Sequence, residues 1–231
     1  MRDQKLRVSE IFASIQGEGA WSGTPSTFIR VSGCNLRCSW CDTKYASWYP
    51  EGPILTLDQI LRQVECLTPN HVVLTGGEPM LFEPIEQLTK ELKDRGYAIT
   101  IETAGTVDRK VEADLLSISP KLANSTPEGE EKARHERARW RPQIVRDLIA
   151  RYPHQLKFVV NPEKPKEIDE VKRALNEIDP PKETRIFLMP EGTDSATLHR
   201  RERLLAEICL QNDWRLSSRL HIHLYGNERG R

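Results

Sequence analysis

Short apolar and β-branched runs punctuate the chain at Thr27–Val31, Val72–Leu74, Ile99–Ile101, Leu115–Ile118, Leu156–Val160, Ile186–Leu188 and Leu220–Leu224, and each predicts a strand. Helical periodicities lie between several of them. Thr56 is placed to cap one helix start, with Gln59 three residues on to reach back to it. Ile85, Leu88 and Leu92 recur on one helical face, and Gly96 offers a left-handed end. Ile168, Val171, Leu175 and Ile178 make a third stripe, and Leu198, Leu204, Leu205 and Ile208 a looser fourth. Strands alternating with helices point to parallel βα units. A closed eightfold barrel typically takes about 250 residues. This chain has 231 and fewer helical stripes than strands. The expectation is therefore an α/β fold, an open partial (β/α) barrel forming one domain over residues 1–231.

The segment Asn124–Pro142 breaks the pattern, being dense in charge and poor in apolar residues. It reads as a solvated helix or mobile loop inserted between core strands. An electron-donor docking patch or a substrate lid is the functional alternative.

Charge changes the picture mainly by exclusion. Lys plus Arg and Asp plus Glu each number 34, so no global field draws the chain to nucleic acid or to a membrane surface. No apolar run is long enough to span a bilayer. The start, Met1-Arg2-Asp3-Gln4-Lys5, lacks the apolar core of a signal peptide. Of five cysteines three are crowded together, which does not resemble a disulfide framework. A cytoplasmic location is expected.

Those three carry the chemistry. Cys34, Cys38 and Cys41 fall in Cys-Asn-Leu-Arg-Cys-Ser-Trp-Cys. Four thiolates would close a zinc site or saturate a cluster, whereas three on a cubane leave one iron open. A structural zinc would call for a second ligand pair at short spacing, and none is present: Cys66 and Cys209 are isolated. A non-enzymatic zinc module is the competing reading.

The spacing resembles that of the radical S-adenosylmethionine (SAM) superfamily. So do the aromatic Trp40 before the third cysteine and Thr75-Gly76-Gly77-Glu78-Pro79 after a buried strand. The resemblance implies a [4Fe–4S] cluster on the three thiolates and SAM on its open iron. It places Trp40, Cys41, Asp42, Gly77, Glu78, Ser119, Pro120 and Lys121 near SAM.

Further segments are similar to the 7-carboxy-7-deazaguanine synthase family: Ser14-Ile15-Gln16-Gly17-Glu18-Gly19, Phe28-Ile29-Arg30, Cys41-Asp42-Thr43, Glu102-Thr103-Ala104-Gly105, Ser119-Pro120-Lys121 and Gly226-Asn227-Glu228-Arg229-Gly230. The charged insert and the terminal Arg231 depart from that family. The resemblance implies a lyase of queuosine-type 7-deazapurine biosynthesis. It would contract the ring of 6-carboxy-5,6,7,8-tetrahydropterin to 7-carboxy-7-deazaguanine and ammonia, by a 5′-deoxyadenosyl radical, with SAM regenerated and Mg²⁺ required. It also implies a homodimer and an electron donor such as flavodoxin. A glycyl-radical-enzyme activase, which shares the cluster and SAM but docks a protein, is the alternative.

Chemical reasons accompany the substrate residues that the family places. Gln16, with Ile15 and Gly17, offers a donor and an acceptor to the amide edge of a pterin. Arg30 can grip a carboxylate with two parallel hydrogen bonds, and Thr75 is a further contact. The hydroxyl of Thr43 is a hard oxygen ligand suited to Mg²⁺; its other reading is a cap on the loop. His135, His154, His199, His221 and His223 read as structural, with one of His221 and His223 turned to the barrel interior.

Overall fold

The computed structural model describes residues 4–231, so the charged start at Met1–Asp3 lies outside the described residues. Among the described residues nine strands form one sheet: β1 (Lys5–Ile15), β2 (Pro25–Val31), β3 (Ile54–Thr56), β4 (His71–Gly76), β5 (Ala98–Thr103), β6 (Leu115–Ile118), β7 (His154–Val160), β8 (Arg185–Pro190) and β9 (Arg215–Leu216). Their order is β3-β1-β2-β4-β5-β6-β7-β8-β9. Pairing is antiparallel from β3 to β2 and parallel from β2 to β9. The end strands β3 and β9 do not pair, so the barrel is open, as expected.

The helices are α1 (Lys44–Ser47), α2 (Leu57–Glu65), α3 (Pro84–Asp94), α4 (Lys132–Arg139), α5 (Pro142–Arg151), α6 (Pro165–Ile178), α7 (Ser195–Asn212) and α8 (Leu220–Tyr225). Thr56 and Gln59 complete the capping box of α2, worth about 1 kcal/mol of helix stability. Helix α3 buries Ile85, Leu88 and Leu92 and unwinds at Gly96, whose φ of +82° suits a residue without a Cβ. Ile168, Val171 and Ile178 of α6 and Leu198 and Leu205 of α7 are buried, whereas Leu204 is exposed. These faces cover the outside of the sheet, where Ile29, Leu74, Ile101, Leu116, Leu156 and Leu188 join one core.

One predicted strand is corrected, and other elements join those the sequence predicted. Leu220–Leu224 is the helix α8, not a strand. Alternation over five residues argues for a strand but is too short to secure one. Here the chain leaves the sheet after β9, Leu220 N–H donates to Gly17 O, and bonds from Ile222 and His223 to Arg219 O wind the turn. Strand β1 is added to the predicted runs; its polar and charged residues hide it in the sequence. Helix α5 escaped notice beside the charged insert although it buries Val145, Leu148 and Ile149. The insert holds the solvated helix expected of it, α4, most of whose charged side chains are exposed, but it is anchored from within by Ser125 and His135, which are fully buried.

Among the described residues no helix is long and apolar enough to cross a membrane.

Candidate active site

Parallel register brings the site together. Arg30 on β2 pairs with Thr75 on β4, and Glu102 on β5 with Ser117 on β6, so polar side chains line up at one end of the sheet. Active sites of (β/α) barrels are built at that C-terminal end. With Ile15, Gln16 and Gly17 they line a cavity of about 330 Å³, also walled by Cys34, Cys38, Trp40, Cys41, Asp42, Thr43, Gly77, Ser119 and Lys121. Every predicted site residue is on this wall except Glu78 and Pro120.

The cysteines sit in the loop between β2 and α1. Cys34 Sγ accepts the N–H of Leu36 at 3.3 Å, Cys41 Sγ contacts Ser47 Oγ at 3.0 Å, and Trp48 Nε1 donates to Cys38 O at 3.1 Å. Burial, reinforced by Glu78, pushes the Cys34 thiol up to about 12. Burial also raises Cys38, to about 11, against the pull of Lys121. Such thiols become thiolates when a metal supplies the compensating charge. Among the described residues no three His, Cys, Asp or Glu side chains are gathered as a ligand set for a single ion. Three thiols on one cavity wall that are not gathered around a single point fit separate corners of an iron–sulfur cubane better than one zinc.

Beside them Trp40 Nε1 is buried with no hydrogen-bond partner. An orphaned donor on a cavity wall is where a bound molecule would supply the acceptor. Gly77 explains part of the glycine pair: a Cβ there would stand 2.0 Å from Gly33 O, so only glycine lets the two loops touch. Glu78 turns inward. Its carboxylate accepts from Thr103 Oγ1 at 2.7 Å, Ala104 N at 2.7 Å and Met80 N at 3.0 Å, and burial raises its pKa despite them. Thr43 immediately precedes α1 in the capping position, yet its side chain makes no capping bond. Its hydroxyl only contacts Cys41 Sγ at 3.7 Å, which counts against the loop-cap reading.

Several residues on the wall, and Glu10 behind it, were not singled out from the sequence. Glu102 accepts from Gln16 Nε2 at 3.3 Å and from Thr75 Oγ1 at 3.1 Å. Glu18 bonds Lys157 and lies 3.4 Å from Arg219, which also bonds Asp42 and donates to Gly192 O at 2.6 Å. Burial works against all these charges, but the pairing wins: Glu18 and Asp42 are held low and Lys157 and Arg219 high. Glu10 gathers Arg30 Nε at 2.7 Å, Arg229 Nε at 2.7 Å and Tyr45 Oη at 2.9 Å. A lysine inside the apolar run Leu156–Val160 was a readable signal. Nothing local marks Arg219 or Glu10.

Of the histidines, His221 lines the cavity, so close to Gly17 that a Cβ there would sit 2.0 Å from its Nδ1. Burial lowers its pKa. His223 pairs with Glu202 at 3.0 Å and Ser195 at 2.7 Å. Cys66 is exposed and Cys209 buried in α7, both off the cavity wall.

Residues 28–141 match the family model described as the Radical SAM superfamily, which places the cysteine loop and the cavity in the class of radical SAM enzymes. The chain is 41% identical to the 7-carboxy-7-deazaguanine synthase of Halobacterium salinarum, over 96% of this chain and 91% of that one. It is 42% identical to that of Rhodopirellula baltica, over 99% and 90%. The crystal structure of QueE from Escherichia coli superposes with a TM-score of 0.73 at 26% identity, covering 94% of this chain and 95% of that one. The chain belongs to the 7-carboxy-7-deazaguanine synthase family. Its relatives do not favour the activase alternative.

Proposed function

We propose that the chain, acting as one domain, contracts the ring of 6-carboxy-5,6,7,8-tetrahydropterin to 7-carboxy-7-deazaguanine and ammonia. One observation carries this reading: the three clustered thiols open on the same cavity as a polar wall of Gln16, Arg30, Thr75 and Glu102. Cys34, Cys38 and Cys41 would hold a [4Fe–4S] cluster. Trp40, Cys41, Asp42, Gly77, the backbone of Glu78, and Ser119-Pro120-Lys121 would hold SAM. When bound, the two supply one-electron chemistry and hydrogen-atom abstraction.

The chain's own residues bind and orient. Arg30 is fixed through Nε by Glu10, and its terminal nitrogens make no hydrogen bond among the described residues. They are available to a carboxylate as a bidentate pair. Ile15, Gln16 and Gly17 form the edge that meets the pterin amide, with Gln16 held by Glu102 and by the N–H of Glu18. Thr75 is tied to the same Glu102, so these contacts share one rigid support. Thr43, with its hydroxyl uncommitted to the helix, would give Mg²⁺ an oxygen ligand beside the substrate. A flavodoxin-like electron donor, a homodimer and a cytoplasmic location belong to the same reading.

Anaerobic reconstitution with iron and sulfide tests it. Incubation with SAM, reductant, Mg²⁺ and the carboxy-tetrahydropterin should give a product of the mass of 7-carboxy-7-deazaguanine. A loaded protein that cleaves SAM but leaves the pterin intact would refute the substrate assignment.

A further inference from the structure

The insert that departs from the family pattern meets the cysteine loop through one imidazole and two main-chain oxygens. The Ser125 hydroxyl donates to Leu122 O at 2.6 Å, which leaves its oxygen to accept from His135 Nε2–H at 2.9 Å. Nδ1 therefore carries the lone pair, and it accepts the backbone N–H of Arg37 at 3.0 Å. His135 is fully buried, and burial lowers its pKa, favouring the neutral acceptor. Two more bonds run alongside. Ser39 N–H donates to Ser125 O at 2.9 Å and Ser39 Oγ to Asn124 O at 3.3 Å. Arg37 and Ser39 flank Cys38, and the Arg37 guanidinium donates to Cys34 O at 2.9 Å and Leu36 O at 2.7 Å. The loop between β2 and α1 has no sheet ladder to satisfy its amides, and a buried amide needs a partner. The insert supplies it.

We propose that His135 is a positioning residue for the cluster loop: through Nδ1 it holds the Leu36–Arg37 peptide, and with it Cys38, in the ligating conformation, and segment 124–142 is a brace for that loop. The proposal rests on the reading of Cys34, Cys38 and Cys41 as cluster ligands, but its first test does not need the cluster.

In the full-length apoprotein, kept anaerobic, iodoacetamide labelling of each cysteine is followed by mass mapping, with exposed Cys66 as internal standard. His135→Phe keeps a ring and removes both nitrogens; His135→Asn keeps an acceptor near the Nδ1 position. Cys38 should be labelled about fivefold faster or more in His135→Phe, the ratio one ordinary hydrogen bond commands, and near the parent rate in His135→Asn. Reconstituted samples should lose their brown absorbance to a chelator in the same rank order. Unchanged Cys38 labelling in His135→Phe, with faster proteolysis inside 124–142, would overturn the proposal, since His135 would then hold only α4. If His135→Phe does not fold, Ser125→Ala removes the acceptor that sets the tautomer. It should accelerate Cys38 labelling by a smaller factor, and a parent-like rate would likewise overturn the proposal. Failure of every sample, the parent included, to load a cluster would sink the ligand reading while the labelling order still supports the brace.

Discussion

Glu18→Gln tests whether the charge network behind the cavity holds the fold as well as the site. Glu18 bonds Lys157 and lies beside Arg219, and all three side chains are nearly buried, at 12%, 5% and 8% exposure. Removing one partner of a buried pair costs about 3–5 kcal/mol, because the other charge stays uncompensated. Lys157 keeps Glu102 at 3.9 Å and Arg219 keeps Asp42, so the lower end, about 3 kcal/mol, is the expected loss. For a chain of this size that is a fall in Tm of roughly 6–12 °C, read by circular dichroism on the anaerobic apoprotein. The sign with pH follows from the direction of the shift. Burial would raise the Glu18 pKa from its ordinary carboxylate value of 4.5, but Lys157 and Arg219 outweigh it and hold it far below. A depressed folded pKa contributes stability that is present above the unfolded carboxylate range and lost as pH falls toward the folded value. The gap between parent and variant should therefore be widest near neutrality and shrink below about pH 4.5. Glu18→Gln combined with Lys157→Met should cost less than the two single changes summed. A Tm within about 2 °C of the parent at pH 7, where a buried pair should cost several times that, would refute the reasoning.

Cys34→Ala, Cys38→Ala and Cys41→Ala should each lose the brown absorbance and SAM cleavage after reconstitution, whereas Cys66→Ala and Cys209→Ala should keep both; a requirement for Cys66 would contradict the open-iron site. Arg30→Ala should weaken binding of the carboxylated pterin well over tenfold, in keeping with the roughly 2–5 kcal/mol attached to a buried charge pair, and leave SAM affinity nearly intact by calorimetry. Equal loss of both would point to a structural role shared with Glu10. Thr43→Val, which keeps the shape and deletes the oxygen, should raise the Mg²⁺ concentration needed for turnover with cluster content unchanged, and a Mg²⁺ titration matching the parent would remove Thr43 from the metal site.

Local patterns determined much of this protein. The apolar runs of β2, β4, β5, β6, β7 and β8, the capping box at Thr56 and the stripe of α3 are short-range signals, readable because burial and hydrogen bonding act over three or four residues. The three cysteines and the glycine pair were legible for the same reason, since loops that hold a cluster need their ligands close in the chain. Tertiary structure decided the rest. The run Leu220–Leu224 alternates like a strand, yet it winds into a helix through local bonds to Arg219 O, anchored by Leu220 N–H on Gly17 O across the molecule. Glu78 sits in a legible motif, but only the packed fold turns its carboxylate toward Thr103 and Ala104. Arg219 reaches Asp42 from 177 positions away, and His135 reaches Arg37 from 98. Isolated charged or polar residues at such separations leave no periodic trace. Their role exists only once the sheet has brought their backbones together, where desolvation makes each unpaired group costly and so selects its partner.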